Sequence, residues 1–266
     1  MNHEPGYFSP SSVSWRIHSD PAGWFGGGRA LLLQALNPVA MAVFTQNTRY
    51  EDDPWGRLFR TADFFVKTIF EDRATADRAA AKVRAIHKRA EAIDPQTGVH
   101  RRADEPELLL WIHATAVDSF IAAHRQFGGG LSSEDADTYV GEMGIMAELL
   151  GLPPTMTPRT TRELDLYLEE VRPTLAMTDE ARDAARWILF FPPVPKMIRP
   201  VWFPVTAALI SSLPEYARQM YGLPWIGAAD FPVRTTIFTT TRLAKRFLKP
   251  PPSVIRAQEQ MKKKSA

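Results

Sequence analysis

Large apolar residues recur three and four positions apart along most of this chain, the spacing of helix faces turned to a core. "GGGRALLLQALNPVAMAVFTQNT" predicts a helix from about Arg29, with Pro38 as a kink or a break. Helices are expected next over Trp55–Glu71 and over Thr75–Ile93, the second rich in alanine and arginine. "RRADEPELLLWIHATAVDSFIAAHRQFGGG" offers Asp104 or Glu105 as cap, Pro106 in the first turn and Gly128–Gly130 as terminator. "SSEDADTYVGEMGIMAELLGLPP" starts on Ser132 with Asp135 in a capping-box-like pair and stops at Gly151 and Pro153. Further helices fit Thr160–Val171, Thr178–Phe191, Trp202–Leu213, Glu215–Tyr221 and Pro232–Leu248. Strand-like alternation is short and scarce. The pattern predicts an all-α protein: one helical bundle, globin-like in general character. It would span residues 26–249, behind an extended N-terminal arm (1–25) and ahead of a basic tail (250–266).

Several polar side chains interrupt these apolar faces. On Thr75–Ile93 the positions Ala76, Ala79, Ala80, Val83, Ile86 and Ala90 form one face, and His87 lies on it. Its neighbours there are mostly alanines, which leaves room for a flat, bulky partner. Arg84 stands three residues before it on an adjoining flank. The helix from Pro106 to Phe127 is apolar almost throughout, so His113 is expected to be buried. In "DPWGRLFRTADFF", Arg57 and Thr61 share a face, with Arg60 about 100° away from Thr61. Buried histidines are more often hydrogen-bonded core residues than ligands, and buried arginines usually pair with carboxylates; Asp53 is a candidate for Arg57.

Composition narrows the chemistry. The 266 residues can bury a substantial core, and a net charge of +2 gives no argument for nucleic acid. With no cysteine there is no disulfide, thiolate nucleophile, iron–sulfur cluster or thiolate haem ligand. Histidine spacing gives no zinc signature, and the P-loop, dinucleotide-glycine and nucleophile-elbow patterns are missing. The N-terminus shows no basic-then-apolar signal, so a cytoplasmic location is expected. The most apolar window, Trp187–Ile210, is interrupted by Lys196, Arg199 and five prolines. A membrane span needs about 20 mostly apolar residues, so two helical pieces joined by a proline-stiffened loop are expected instead. Phe190, Phe191, Trp202 and Phe203 then either shape a substrate entrance over Phe191–Pro204 or pack as core. Peripheral membrane contact is compatible with Lys196, Arg199 and the tail "MKKKSA".

The ordered set "GGGRALLLQALNPVAMAVF", "DPWGRLFRTADF", "KVRAIHKRA", "ELLLWIHATAVDSF" and "AELLGLP" resembles the oxygenase MpaB and latex clearing protein superfamily. It covers about Gly26–Pro154, and more weakly the helices to Leu248. The resemblance implies a helical bundle enclosing a b-type haem pocket. It implies His87 as the iron ligand and places Arg57, Arg60 and Thr61, the expected catalytic set, on the distal face. His113, which follows Trp111 on the most buried helix, is then expected to line the haem pocket or bond a propionate, and Arg84 and Trp111 to complete the cofactor-binding residues. The chemistry is intelligible. Haem iron takes a neutral imidazole nitrogen, and anionic propionates take charge-assisted bonds from arginines. An oriented guanidinium and a hydroxyl can stabilise negative charge developing on oxygen.

Two departures from the latex clearing pattern matter. Arg60 stands where those members have a lysine able to bind iron, and a guanidinium stays protonated, so the sixth position should be open or hold water. The preceding helix "LLLQALNPVAMAVF" carries no acid, which argues against rubber cleavage. The function implied is a haem b-dependent oxidoreductase, oxygenase or peroxidase-like, using dioxygen or peroxide on an apolar small molecule such as a terpenoid or lipid tail. The alternative is a haem carrier or sensor, or a cofactor-free helical scaffold.

Overall fold

A computed structural model describes residues 6–47, 54–190, 197, 199–224, 227–247 and 255. These form twelve α-helices, short 3-10 turns and one hairpin. In order they are α1 (Val13–His18), α2 (Gly23–Gln34), α3 (Pro38–Asn47), α4 (Pro54–Phe70), α5 (Arg73–His87), β1 (Glu91–Ile93), β2 (His100–Arg102), α6 (Pro106–Phe127), α7 (Ser133–Leu149), α8 (Thr161–Val171), α9 (Asp179–Phe190), α10 (Arg199–Ser212), α11 (Glu215–Met220) and α12 (Asp230–Phe247). The expected all-α class holds.

Helix α6 is the central post, as its apolar sequence requires. Leu108, Trp111, Ala114, Thr115, Val117, Ser119, Ile121, Ala123 and Phe127 are all buried. Pro106 occupies its first turn and Gly128 its C-cap. Helix α2 lies along one side of it. Gly26 permits the approach, since a Cβ there would sit 2.8 Å from the Phe120 ring and 3.2 Å from the Ser119 carbonyl. Helices α1, α4, α5 and α7 close the larger core cluster around Ile17, Phe64, Ile69, Ala80, Val117, Tyr139 and Met143. A second cluster joins α2, α9, α10 and α11 through Leu32, Leu33, Leu189, Leu209 and Ala217, with Leu36 and Leu213 just past the ends of α2 and α10.

Three local differences from the sequence reading have physical causes. Pro38 produces a break: α2 and α3 meet at 101°, with Pro38 starting α3 where its missing N–H costs nothing. The helix expected to run to Ile93 ends at His87. Pro95 disfavours helical geometry at Asp94, and the Asp94 carboxylate instead accepts from Gln96 N and Thr97 Oγ1, turning the chain into a β1–β2 hairpin. Gln46 and Asn47 of α3 then bond β1 through their side-chain amides. The arm expected to be extended contains α1, whose Trp15 and Ile17 are buried. Glu142 of α7 accepts from the Val13 and Ser14 amides and holds α1 down.

Among the described residues no single helix is long and apolar enough to cross a membrane. The bent pair α2–α3 passes on length and composition alone.

Candidate functional site

The most informative side chain is His87, the last residue of α5. Its ring is partly buried and its Nδ1 atom is fully buried, with no hydrogen-bond partner. Burial pushes its pKa below the ordinary histidine value, against a smaller upward pull from the Asp104 carboxylate. Among the described residues no carbonyl or carboxylate bonds this nitrogen, although ligating histidines usually have one on the nitrogen that does not bind the metal. An orphaned buried nitrogen costs about 1–3 kcal/mol, and a ligand accepting donation from a neutral imidazole would remove that cost.

The hairpin explains why His87 sits at a helix end rather than inside one. Ala103 N donates to the Ala90 carbonyl, so the chain after His87 doubles back at once. Arg84, one turn earlier on α5, reaches across and donates from Nη1 to the Leu149 carbonyl at the end of α7. That bond satisfies a carbonyl the helix end leaves open. The same corner holds Arg159, whose Nη2 pairs with Glu148 at 2.8 Å. The Arg159 charge, second to burial, helps lower the His113 pKa to about 4. Helices α5, α6 and α7 thus bring Arg84 and His113 to one end of α7, with His87 a turn away from Arg84.

Trp111 turns elsewhere. Its ring is 1% exposed and its indole N–H donates to the Gln34 carbonyl at 3.3 Å, fastening α6 to the end of α2. His113 lies about 200° further round the helix, so the two cannot share one side of α6. Arg60 and Thr61 lie exposed on the first half of α4. The Arg57 side chain, Asp53, Phe191 and Lys196 fall outside the described residues. Near the proline-rich stretch, Phe190 and Phe203 are exposed, while Trp202 donates to the Ile188 carbonyl at 3.2 Å.

Two polar clusters were not anticipated. Arg29 is 4% exposed and donates to Asp118 Oδ2 at 2.6 Å, Ser119 Oγ at 2.7 Å and the Ser212 carbonyl at 2.7 Å. A single arginine in the apolar "GGGRALLL" and a single aspartate in "ATAVDSF" were the available signal: opposite charges on two buried helices need each other. The second cluster surrounds His18. Its Nε2 shares a 2.9 Å hydrogen bond with Tyr139 Oη, and its ring packs on Phe65 and Phe120. Burial, with the nearby His124, lowers its pKa to about 3. His124 in turn faces Asp20 at 3.8 Å.

Among the described residues no group of three or more His, Asp or Glu side chains could hold a metal ion. A porphyrin iron brings four nitrogens of its own and asks the protein for one axial donor. His87 fits that demand.

Searches of curated proteins and of solved structures found no match. A family model described as "ER-bound oxygenase mpaB/B'/Rubber oxygenase, catalytic domain" matches residues 15–243, nearly the whole helical body. The chain therefore belongs to the mpaB and rubber oxygenase catalytic-domain family.

Proposed function

We propose that this protein is a haem b-dependent oxygenase acting on an apolar small molecule, in which His87 would hold the haem iron. The observation that carries this reading is the buried, unpartnered Nδ1 of an imidazole that burial keeps neutral, at the position the family resemblance assigns to the iron ligand. When bound, the haem would supply activation of dioxygen or peroxide.

The chain's own residues have separate tasks. His87 would hold the haem iron through a ring nitrogen, and its place at the end of α5 is held by the hairpin behind it and by Arg84 docked on α7. Arg84 and the half-buried, neutral His113 are assigned to the cofactor's polar edge. Arg57 and Thr61 share a face of α4 and are assigned to hold negative charge developing on oxygen, with Arg60 at the pocket's edge. Trp111 acts as a positioning residue, since it fixes α6 against α2. A terpenoid or lipid-like substrate suits the apolar helices around this corner.

An absorption spectrum of the purified chain after haem titration tests the reading. A Soret band that shifts on binding and disappears in His87→Ala is expected. Full loading of that variant with an unchanged spectrum would reject His87 as ligand. Oxygen uptake with a panel of lipophilic substrates then separates an oxygenase from a carrier. For Arg57→Leu, retained haem with turnover lowered about 100-fold is expected, as for loss of an oxyanion donor.

A further inference from the structure

The face of α4 that carries Thr61 continues one turn on at Phe65, and the face of α6 that carries His113 continues at Phe120. The two faces meet there, with the Phe65 and Phe120 rings 5.4 Å apart. The His18 ring completes the junction, 5.2 Å from Phe65 and 4.4 Å from Phe120. Helix direction puts Thr61, His113 and His87 on one side of it. Arg84, near the end of α5, bonds the end of α7, and Leu109 and Leu110 at the start of α6 pack on Ala147 near that same end. Helix α4 packs on α5 across a two-residue link, so it runs back along α5. The starts of α4 and α6 therefore lie beside His87. On this side cover is lost: Thr61 is exposed and His113 half-buried. The result is a cleft between α4 and α6 that His18, Phe65 and Phe120 close at one end.

His18 brings a directed polar group to that end. Glu142 accepts from the Val13 and Ser14 amides and so fixes α1, of which His18 is the last residue. Behind the ring, Tyr139 is fully buried, and burial raises its pKa well above the ordinary phenol value. It stays protonated, and its hydroxyl bonds His18 Nε2 at 2.9 Å. A buried phenol proton needs an acceptor, so Nε2 accepts. Burial lowers the His18 pKa to about 3, and the neutral ring then carries its proton on Nδ1. Among the described residues Nδ1 makes no hydrogen bond, and His18 is only half-buried. His113 combines the same two properties, half-burial and a pKa that burial lowers to about 4. Both rings sit deep in the protein without being fully covered, as the lining of an interior cleft does.

We propose that His18 selects the substrate: an elongated apolar molecule with one neutral oxygen, carbonyl or hydroxyl, that accepts from His18 Nδ1 while its hydrocarbon part lies along the cleft towards His87. Selection by His18 rests on the oxygenase reading of this site and adds what the substrate must carry. A carboxylate is disfavoured. The neutral ring offers it no countercharge, and Glu142 lies near Tyr139 behind the ring. Anchoring one end fixes which part of the hydrocarbon lies beside His87.

NMR of the full chain with 15N-labelled histidine tests this. One imidazole is expected as the Nδ1–H tautomer between about pH 5 and about pH 8, and its signal should be missing in His18→Phe. Adding 2-decanone should shift that nitrogen, and adding decane should not. The infrared carbonyl stretch of bound 2-decanone should lie at lower wavenumber with wild type than with His18→Phe. That variant should bind 2-decanone about two- to tenfold more weakly, the span of one hydrogen bond. Tyr139→Phe should release the ring to a mixture of tautomers, which keeps the test intact should His18→Phe fail to fold. A His18 proton on Nε2, no binding of 2-decanone, or equal binding by wild type and His18→Phe overturns the proposal. Failure of the oxygenase reading shows separately, as a chain that gains no Soret band on haem titration yet still binds 2-decanone through His18.

Discussion

His87, His113 and His18 are three imidazoles that the fold keeps neutral by burial, and their surroundings differ in a way that separates roles. His18 has its Nε2 satisfied by Tyr139 and its ring packed against the tilted rings of two phenylalanines, so it is held as part of the packing. His87 keeps a buried nitrogen with nothing attached. All three should destabilise the protein in acid. Each has a folded pKa below its unfolded value of 6.5. Stability is therefore full above about 6.5 and falls as the unfolded chain takes up protons that the folded chain refuses. The fall should continue to about pH 4 for His113 and about pH 3 for His18, at no more than about 1.4 kcal/mol per pH unit for each group. Lowered carboxylate pKa values at Asp135 and Asp137 act in the same acid range, so the variant must be compared with wild type. Urea midpoints between pH 7 and about pH 4 should drop less in His18→Gln than in the unaltered chain. Equal slopes would place His18 in contact with water.

At the scale of elements, α2 and α6 form the joint on which the body depends. Their closeness rests on Gly26 against Phe120 and on the Arg29 fork to Asp118, Ser119 and the Ser212 carbonyl. Arg29→Leu leaves a partly buried carboxylate and two other acceptors without their donor, and should cost about 3–5 kcal/mol in chemical denaturation. Arg29→Lys should recover little, because one ammonium cannot reproduce three bonds along a planar fork. Gly26→Ala should cost about 1–3 kcal/mol, since a methyl group must displace a ring and crowd a helix backbone. A loss below 0.5 kcal/mol, roughly that of a surface change, would show that α2 can slide away freely. The helix propensities and stop signals that set these elements were readable beforehand. α6 runs from Pro106 to Phe127 as its proline and glycines indicate. The end of α5 was misplaced because Ala90–Ile93 suits a helix locally, whereas the Asp94–Pro95 turn and the α3 side chains draw those residues into a hairpin.

For the molecule as a whole, haem binding and folding should be linked. A ligand that binds only the folded chain at 100 times its Kd adds about 2.7 kcal/mol of stability. Haem should therefore raise the Tm of the wild-type protein by several degrees and leave that of His87→Ala unchanged, as read by thermal circular dichroism. Family, fold class and most helix boundaries were determined by the sequence itself. Apolar periodicity, caps and the ordered motifs from Gly26 to Pro154 are local properties, and the family match over residues 15–243 rests on the same signals. Other features were decided by tertiary structure alone. Which nitrogen of His87 is orphaned depends on what α5, α6 and α7 place around it. That Trp111 holds α2 while His113 feels Arg159 depends on which neighbour each side of α6 meets. That His18, Phe65 and Phe120 meet requires α1, α4 and α6, far apart in sequence, to converge. A periodic pattern tells which face of a helix is covered. It carries no information on the partner, because apolar burial is non-directional.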